Sequence, residues 1–303
     1  MRILLISAFL MAASLVTAKA ADDVWQAPFN YAKAFPKMAA PFEPFRIIGE
    51  IYYVGMEGLP VYLIAREDGH VLIDGGLPGY EGIIFDNIEK LGFDIIDVEY
   101  LLNTHAHFDH SGGLAKLKAV SGAKLIASEG DVSALEGGFY LGFEGARNFS
   151  SPPVKVDEQI ADRSPDYERW TIAGVNALSA NLTPGHSRGC ISWRLTVEEA
   201  GEEFDVLIFC SATVAANSLV PEQYEGIVDD YRLTFEKTKN WDPDVFLANH
   251  SEVFHMKETR ERQKAGDALA FVNRGAFQKY ITAKESAFKK ALQQQADKAR
   301  DDK

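Results

Sequence analysis

The run Asn103-Thr104-His105-Ala106-His107-Phe108-Asp109-His110-Ser111-Gly112-Gly113 places four metal-ligand side chains, His105, His107, Asp109 and His110, within six positions. It follows Val98-Glu99-Tyr100-Leu101-Leu102, which reads as a strand, and precedes a helical pattern over 111–120. A strand-to-helix loop can turn several side chains to one point. A helix could not aim His105 and His107 together, because residues two apart lie on different faces. The spacing therefore belongs to a loop, unlike the helical His-Glu-x-x-His of zinc proteases. Zinc takes imidazole nitrogen and carboxylate oxygen, and a catalytic site uses three protein ligands and leaves a position open. Two such sites need six donors. Two further histidines stand at strand ends: His186 in Thr183-Pro184-Gly185-His186, after a strand over 177–182, and His250, closing Val245-Phe246-Leu247-Ala248-Asn249-His250. His255 competes with His250 but lies five residues on, past the strand end. His70 sits in a turn and is expected in solvent.

Outward from the run, strands over 50–55, 61–65 and 70–73 are separated by short turns and read as an antiparallel meander. A helix is expected over 80–91, ended by Gly92, and a strand over 123–127. The segment 27–45 is expected to be irregular. So is 129–165, which holds Gly137-Gly138, Gly142 and Pro152-Pro153. Paired strands over 170–180 precede a hairpin, a helix over 226–241 and a strand over 244–248. The segment 257–303 is largely helical, with an apolar stripe at Tyr280, Ala287, Phe288, Ala291 and Leu292 and a frayed polar end. This order predicts an α/β fold: a four-layer αββα sandwich, two mixed sheets face to face with helices outside. No Pro/Gly/Ser linker divides the chain, so residues 21–303 are expected to form one domain.

The chain has 303 residues, with 31 Lys+Arg against 44 Asp+Glu and a formal charge of −13. That field repels a phosphate backbone, so nucleic acid is set aside as a partner. Residues 1–20 read as a signal peptide: Met1-Arg2, an apolar run over 3–16 too short to span a bilayer, and Ala18-Lys19-Ala20 before the cleavage point. The mature protein is expected to be periplasmic or secreted, off the membrane, and monomeric. Export permits a disulfide between the two cysteines, Cys190 and Cys210. A hairpin centred on Ala200 pairs positions whose numbers sum to 400, which sets Cys190 opposite Cys210. Two free buried thiols are the alternative.

At these residues the chain resembles the metallo-β-lactamase superfamily, and within it the third subclass of class B β-lactamases. Further segments carry the likeness: Pro44-Phe45-Arg46-Ile47, Tyr52-Tyr53-Val54-Gly55, Leu72-Ile73-Asp74-Gly75-Gly76, Ser192-Trp193 and Asp229-Asp230-Tyr231-Arg232. The resemblance implies two Zn2+ ions, one held by His105, His107 and His186 and the other by Asp109, His110 and His250. It implies that Ser211 and Thr213 bind a substrate carboxylate, although strand-end capping would also explain them. Asp74 either shapes a tight turn with Gly75-Gly76 or supports the ligand loop from beneath. Most other hydrolases of the superfamily place a metal-bridging Asp where Cys210-Ser211-Ala212-Thr213 stands. Cys210 could itself ligate zinc, but His110 already completes the second set. Ser187-Arg188 departs from the Thr-Pro expected after His186. Phe139, Tyr140, Phe143 and Phe149 could form a substrate-facing wall.

The implied reaction is hydrolysis of the β-lactam amide by hydroxide generated between two zincs, without a covalent intermediate. Asp109 would both ligate metal and orient the nucleophile. A lactonase-like dinuclear zinc hydrolase is the alternative, and a non-catalytic zinc-binding protein the third reading.

Overall fold

The structure, a computed structural model, describes residues 25–28, 30–161, 170–171 and 178–302. The expected leader, 1–20, lies outside the described residues, as does 172–177 within the expected strand pair. A one-turn helix α1 (Tyr31–Ala34) is followed by β1 (Phe45–Ile48), β2 (Ile51–Tyr53), β3 (Tyr62–Ile64) and β4 (His70–Ile73), each antiparallel to the last. Helix α2 (Glu81–Lys90) crosses over to β5 (Val98–Leu102), parallel to β4. Two short helices, α3 (Phe108–Ser111) and α4 (Leu114–Ser121), lead to β6 (Lys124–Ser128). Helix α5 (Glu129–Gly137) then precedes β7 (Glu158–Ile160). These seven strands make one mixed sheet in chain order.

The second sheet contains β8 (Trp170–Thr171), β9 (Ser179–Leu182), β10 (Ile191–Glu199), β11 (Glu202–Phe209) and β12 (Val245–Ala248), in the order β12-β11-β10-β9-β8. Only β11 and β12 are parallel, and the crossover between them carries α6 (Ile227–Thr238). Helices α7 (Met256–Lys264) and α8 (Ala276–Asp301) follow. No helix among the described residues is long and apolar enough to cross a membrane.

Side-chain alternation sorts the apolar residues between two cores. Val71 and Ile73 of β4 join the core shared with the second sheet, while Leu72 joins another with Ile84 and Ile88 of α2 and Leu114 and Leu117 of α4. The same period of two separates Tyr62 and Ile64 from Leu63. On the far side, the rings of Phe209 and Phe246 lie 5.1 and 5.3 Å from Phe277 of α8. Tyr231 of α6 stacks 5.0 Å from Phe288. Both sheets are thus covered on both faces, which is the four-layer αββα sandwich.

Several local expectations are corrected. The segment 129–137 is helical: the Ser128 hydroxyl accepts from the Gly130 N–H at 3.2 Å and Gly138, at φ 67°, ends the helix. The segment 27–45 contains α1 and the first residue of β1. The helix expected over 111–120 breaks at Gly112-Gly113, because α4 docks backbone to backbone on the turn after β4. A Cβ on Gly113 would lie 2.3 Å from the Gly75 carbonyl oxygen. His70 is buried, opening β4 and accepting the Arg66 N–H at Nδ1 (3.1 Å). Helix α8 continues to Asp301, and Ala287 of its expected stripe is exposed.

The hairpin register is displaced by one. Glu199 pairs with Glu202 and Trp193 with Ile208, because the turn uses both Ala200 and Gly201, at φ 54° and 83°. The cysteines therefore lie just past the ladder rather than opposed within it. They are joined in a disulfide there, Cα atoms 5.9 Å apart.

Candidate metal centre

Four chain segments leave strand ends towards one place: 103–110 after β5, 183–186 after β9, 210–213 after β11 and 249–250 after β12. His107 caps α3, so Asp109 and His110 sit in a single helical turn; only His105 and His107 lie on the expected loop. Two trios form. The donor atoms of His105, His107 and His186 lie within 4.8 Å of one another, and so do those of Asp109, His110 and His250. In the second trio the His110 and His250 Nε2 atoms are 3.2 Å apart and lie 3.3 and 3.5 Å from Asp109 Oδ2. Donors at about 2.0–2.1 Å from a tetrahedral zinc would be separated by about 3.3–3.4 Å. The triangle already has that size.

Hydrogen bonds set the tautomers. The Thr213 carbonyl can only accept, so His186 donates to it from Nδ1 (2.7 Å) and keeps the Nε2 lone pair. The Thr104 hydroxyl donates to Asp74 Oδ2 (2.8 Å) and accepts from His105 Nδ1 (3.1 Å). His105 Nε2 is then buried with no hydrogen-bond partner, although His107 and His186 surround it. A buried lone pair without a donor is costly unless a cation meets it. Asp74 also accepts the Thr104 N–H (2.7 Å) and the Asn103 amide (3.1 Å), and lies 3.6 Å from His110 Nδ1. It thus lies beneath the ligand loop.

Charge follows from this packing. Burial and the neighbouring imidazoles hold His105 and His107 well below the usual histidine range. Burial lowers His186 to about 4 and pushes His250 down as well. Burial opposes the charge on His110, but the Asp109 and Asp74 carboxylates outweigh it and raise His110. Burial would raise Asp109; His110, His250 and His107 overcome it and hold Asp109 far below the carboxylate range. Burial raises Asp74 to about 6 against His110 and its hydrogen bonds. Four of the five donor imidazoles are thus held towards the neutral form and Asp109 towards the ionised one, as a metal requires, while His110 is held towards its protonated form and would release that proton on binding. The donor set fits zinc.

The other expected residues are placed as follows. Cys210 is bonded to Cys190 and offers no thiolate, although both sulfurs lie near His105. His255 is exposed, at φ 53°, and belongs to neither trio. The Ser211 hydroxyl accepts the Thr213 N–H (3.2 Å), and Thr213 Oγ1 lies 3.1 Å from His186 Nδ1. Of the four aromatics of the expected wall, Tyr140 is buried, stacked 4.1 Å from His107, and the other three are half-buried. Tyr140 donates to Asn217 Oδ1 (2.6 Å), whose amide donates to the His186 carbonyl (2.9 Å). Asn217 and Asp131 were not singled out in the sequence. Each acts through partners distant in the chain, and no local pattern marks them.

A family model described as the metallo-beta-lactamase superfamily matches residues 58–198. A subclass B3 metallo-β-lactamase of Bradyrhizobium japonicum is 44% identical, with a TM-score of 0.82, over 88% of this chain and 99% of that one. A metallo-β-lactamase from Legionella gormanii is 32% identical, with a TM-score of 0.80, over 85% of this chain and 98% of that one. An N-acyl homoserine lactonase of Rhizobium radiobacter is 27% identical over 43% of this chain and 57% of its own length. The chain thus spans little more than half of that curated relative. It belongs to the metallo-β-lactamase superfamily. It is a metal-dependent hydrolase.

Proposed function

We propose that this protein is a zinc β-lactamase that opens the β-lactam amide of penicillins, cephalosporins and carbapenems. His105, His107 and His186 would hold one zinc ion, and Asp109, His110 and His250 a second. The observation that carries the reading is the pair of preorganised donor trios in a chain 44% identical to a subclass B3 enzyme over nearly that enzyme's whole length. Two bound zinc ions would supply Lewis acidity to a carbonyl oxygen and lower the pKa of a water towards 7.

The chain's own residues do the rest. Asp109 presents Oδ2 to His110 and His250, and its other oxygen would accept a hydrogen bond from the attacking water. Ser211 and Thr213, at the end of β11, would donate hydroxyls to the substrate carboxylate. The Ser211 oxygen is engaged by the Thr213 N–H and hydroxyl, with no imidazole hydrogen-bonded to it among the described residues, so direct hydrolysis is favoured over an acyl-serine. The two trios share no carboxylate, which favours a lactam over the lactone of the lactonase relatives. We place the enzyme outside the cytoplasm, with residues 1–20 removed and 21–303 as one monomeric domain; the Cys190–Cys210 bond supports an oxidising compartment.

The test is hydrolysis of one carbapenem and one acyl-homoserine lactone by the protein from residue 21 onward, with added zinc and again with a chelator. Carbapenem turnover that the chelator abolishes is expected. Turnover of the lactone alone, by a protein carrying zinc, would transfer the site to the other substrate class.

A further inference from the structure

Asp131 is an enclosed carboxylate that the proposed reaction leaves unused. It sits in the first turn of α5 and is 1% exposed. Its Oδ2 accepts the Ala106 N–H and the Ser187 hydroxyl, both at 2.8 Å. Its Oδ1 accepts the Gly189 N–H at 2.9 Å. Ala106 stands between His105 and His107, and Ser187 follows His186. One side chain therefore grips both segments that carry the first trio, while its own helix contributes no donor to either trio. Gly189 permits the approach: a Cβ there would lie 2.6 Å from the Asp131 nitrogen and 2.7 Å from its Cγ. Burying a carboxylate is unfavourable unless donors answer it, and the Ala106 N–H, the Ser187 hydroxyl and the Gly189 N–H do so here. Apolar contacts could hold two loops together, but not fix their angle as directed bonds do.

We propose that Asp131 is the positioning residue of the three-histidine site, setting the spacing between the His105–His107 loop and the His186 loop and so the affinity of that site for its metal. This rests on the reading of that trio as a zinc site. The Asp109–His110–His250 trio makes no bond to Asp131, so the effect falls on one site of the two.

The test loads chelator-stripped protein with Co2+ and then Zn2+ against a chromophoric competitor, following the cobalt ligand-field bands. Wild-type protein, D131N, S187A, G189A and, as a destabilised control, L135A are compared. In D131N an amide nitrogen would face a donor, and in G189A the added Cβ would strike the Asp131 backbone nitrogen, Cγ and Cβ. Wild-type protein should bind two ions. D131N and G189A should lose about 10–100-fold in affinity at one site, with its bands altered, and keep the other. S187A, which removes one bond of three, should show a smaller loss at the same site. L135A, in the same helix but in its apolar core, should lower stability and leave both affinities intact. Folded D131N with two wild-type affinities, or with both reduced alike, overturns the proposal. If D131N does not fold, S187A decides, and unchanged affinity there overturns it. A wild-type protein that binds no metal would instead remove the site reading beneath it.

Discussion

An imidazole or carboxylate taken out of water needs an answering group, and this centre gathers seven: His105, His107, His110, His186 and Asp74 buried, Asp109 and His250 half-buried. Removing one donor from a trio should remove one ion. His186→Ala and Asp109→Ala are each expected to bring the metal count of purified protein from two to one, read by emission spectroscopy, with hydrolysis reduced by at least about 100-fold. Two ions retained in either variant would refute its ligand role. The same burial makes the metal-free protein sensitive to acid. His186 titrates near 4 when folded against 6.5 when unfolded. Between those values the unfolded chain binds more protons, so stability rises with pH and is lost on acidification, on the order of 3 kcal/mol at full effect. His105, His107 and His250 act in the same direction. His110, raised, acts oppositely, lending stability at low pH that is lost as pH climbs through its folded value. Chelated protein should show a lower urea midpoint at pH 5 than at pH 7, and His186→Gln should flatten the difference. Asp74, raised to about 6, acts the same way as His110, so a midpoint that rises on acidification would show those two to dominate.

At the scale of elements, the disulfide and the glycine contacts carry the sharpest expectations. The Cys190–Cys210 bond closes a loop with a sequence separation of 20. The double serine variant should lose about 3 kcal/mol by the chain-entropy account, read from denaturant midpoints. Gly113→Ala should cost at least about 2 kcal/mol, since the atom in the way is a backbone oxygen. Gly82→Ala is the contrast: it lies in α2 with open space around its would-be Cβ, and should be neutral or stabilising by up to about 1 kcal/mol. Equal stability losses in the two would show that backbone docking at Gly113 matters no more than helix propensity. These elements also mark how far the sequence could be read. The clustering of the run's donors was legible because its chemistry is local: four donors in six positions admit few uses other than the metal site proposed for them. The strands β2 to β6 were legible from apolar runs bounded by turns. Helix α5 was hidden by Gly130, Gly137 and Gly138, which signal a loop unless the capping by Ser128 is known. His70 was misplaced because the turn signal ends one residue before the strand begins. Asp131 was invisible because its meaning lies in partners 25, 56 and 58 residues away.

At the scale of the molecule, each trio takes donors from both sheets. His105, His107, Asp109 and His110 follow β5 of the first sheet, while His186 and His250 follow β9 and β12 of the second. Metal should therefore stabilise the whole fold: at free zinc 100-fold above Kd, chelation should cost about 2.7 kcal/mol per ion, seen as a lower Tm. An unchanged Tm would mean that the ions bind the unfolded chain equally well. The layout also sets where the stripped protein loosens. Its two halves are clasped at one rim by the donors and elsewhere by side chains that metal never touches, so without ions it should gape at that rim like a purse with its catch undone. Amide deuterium uptake should then quicken over 103–111, 183–190 and 249–251, while β1, β2 and the packed faces of α2 and α8 exchange as slowly as before.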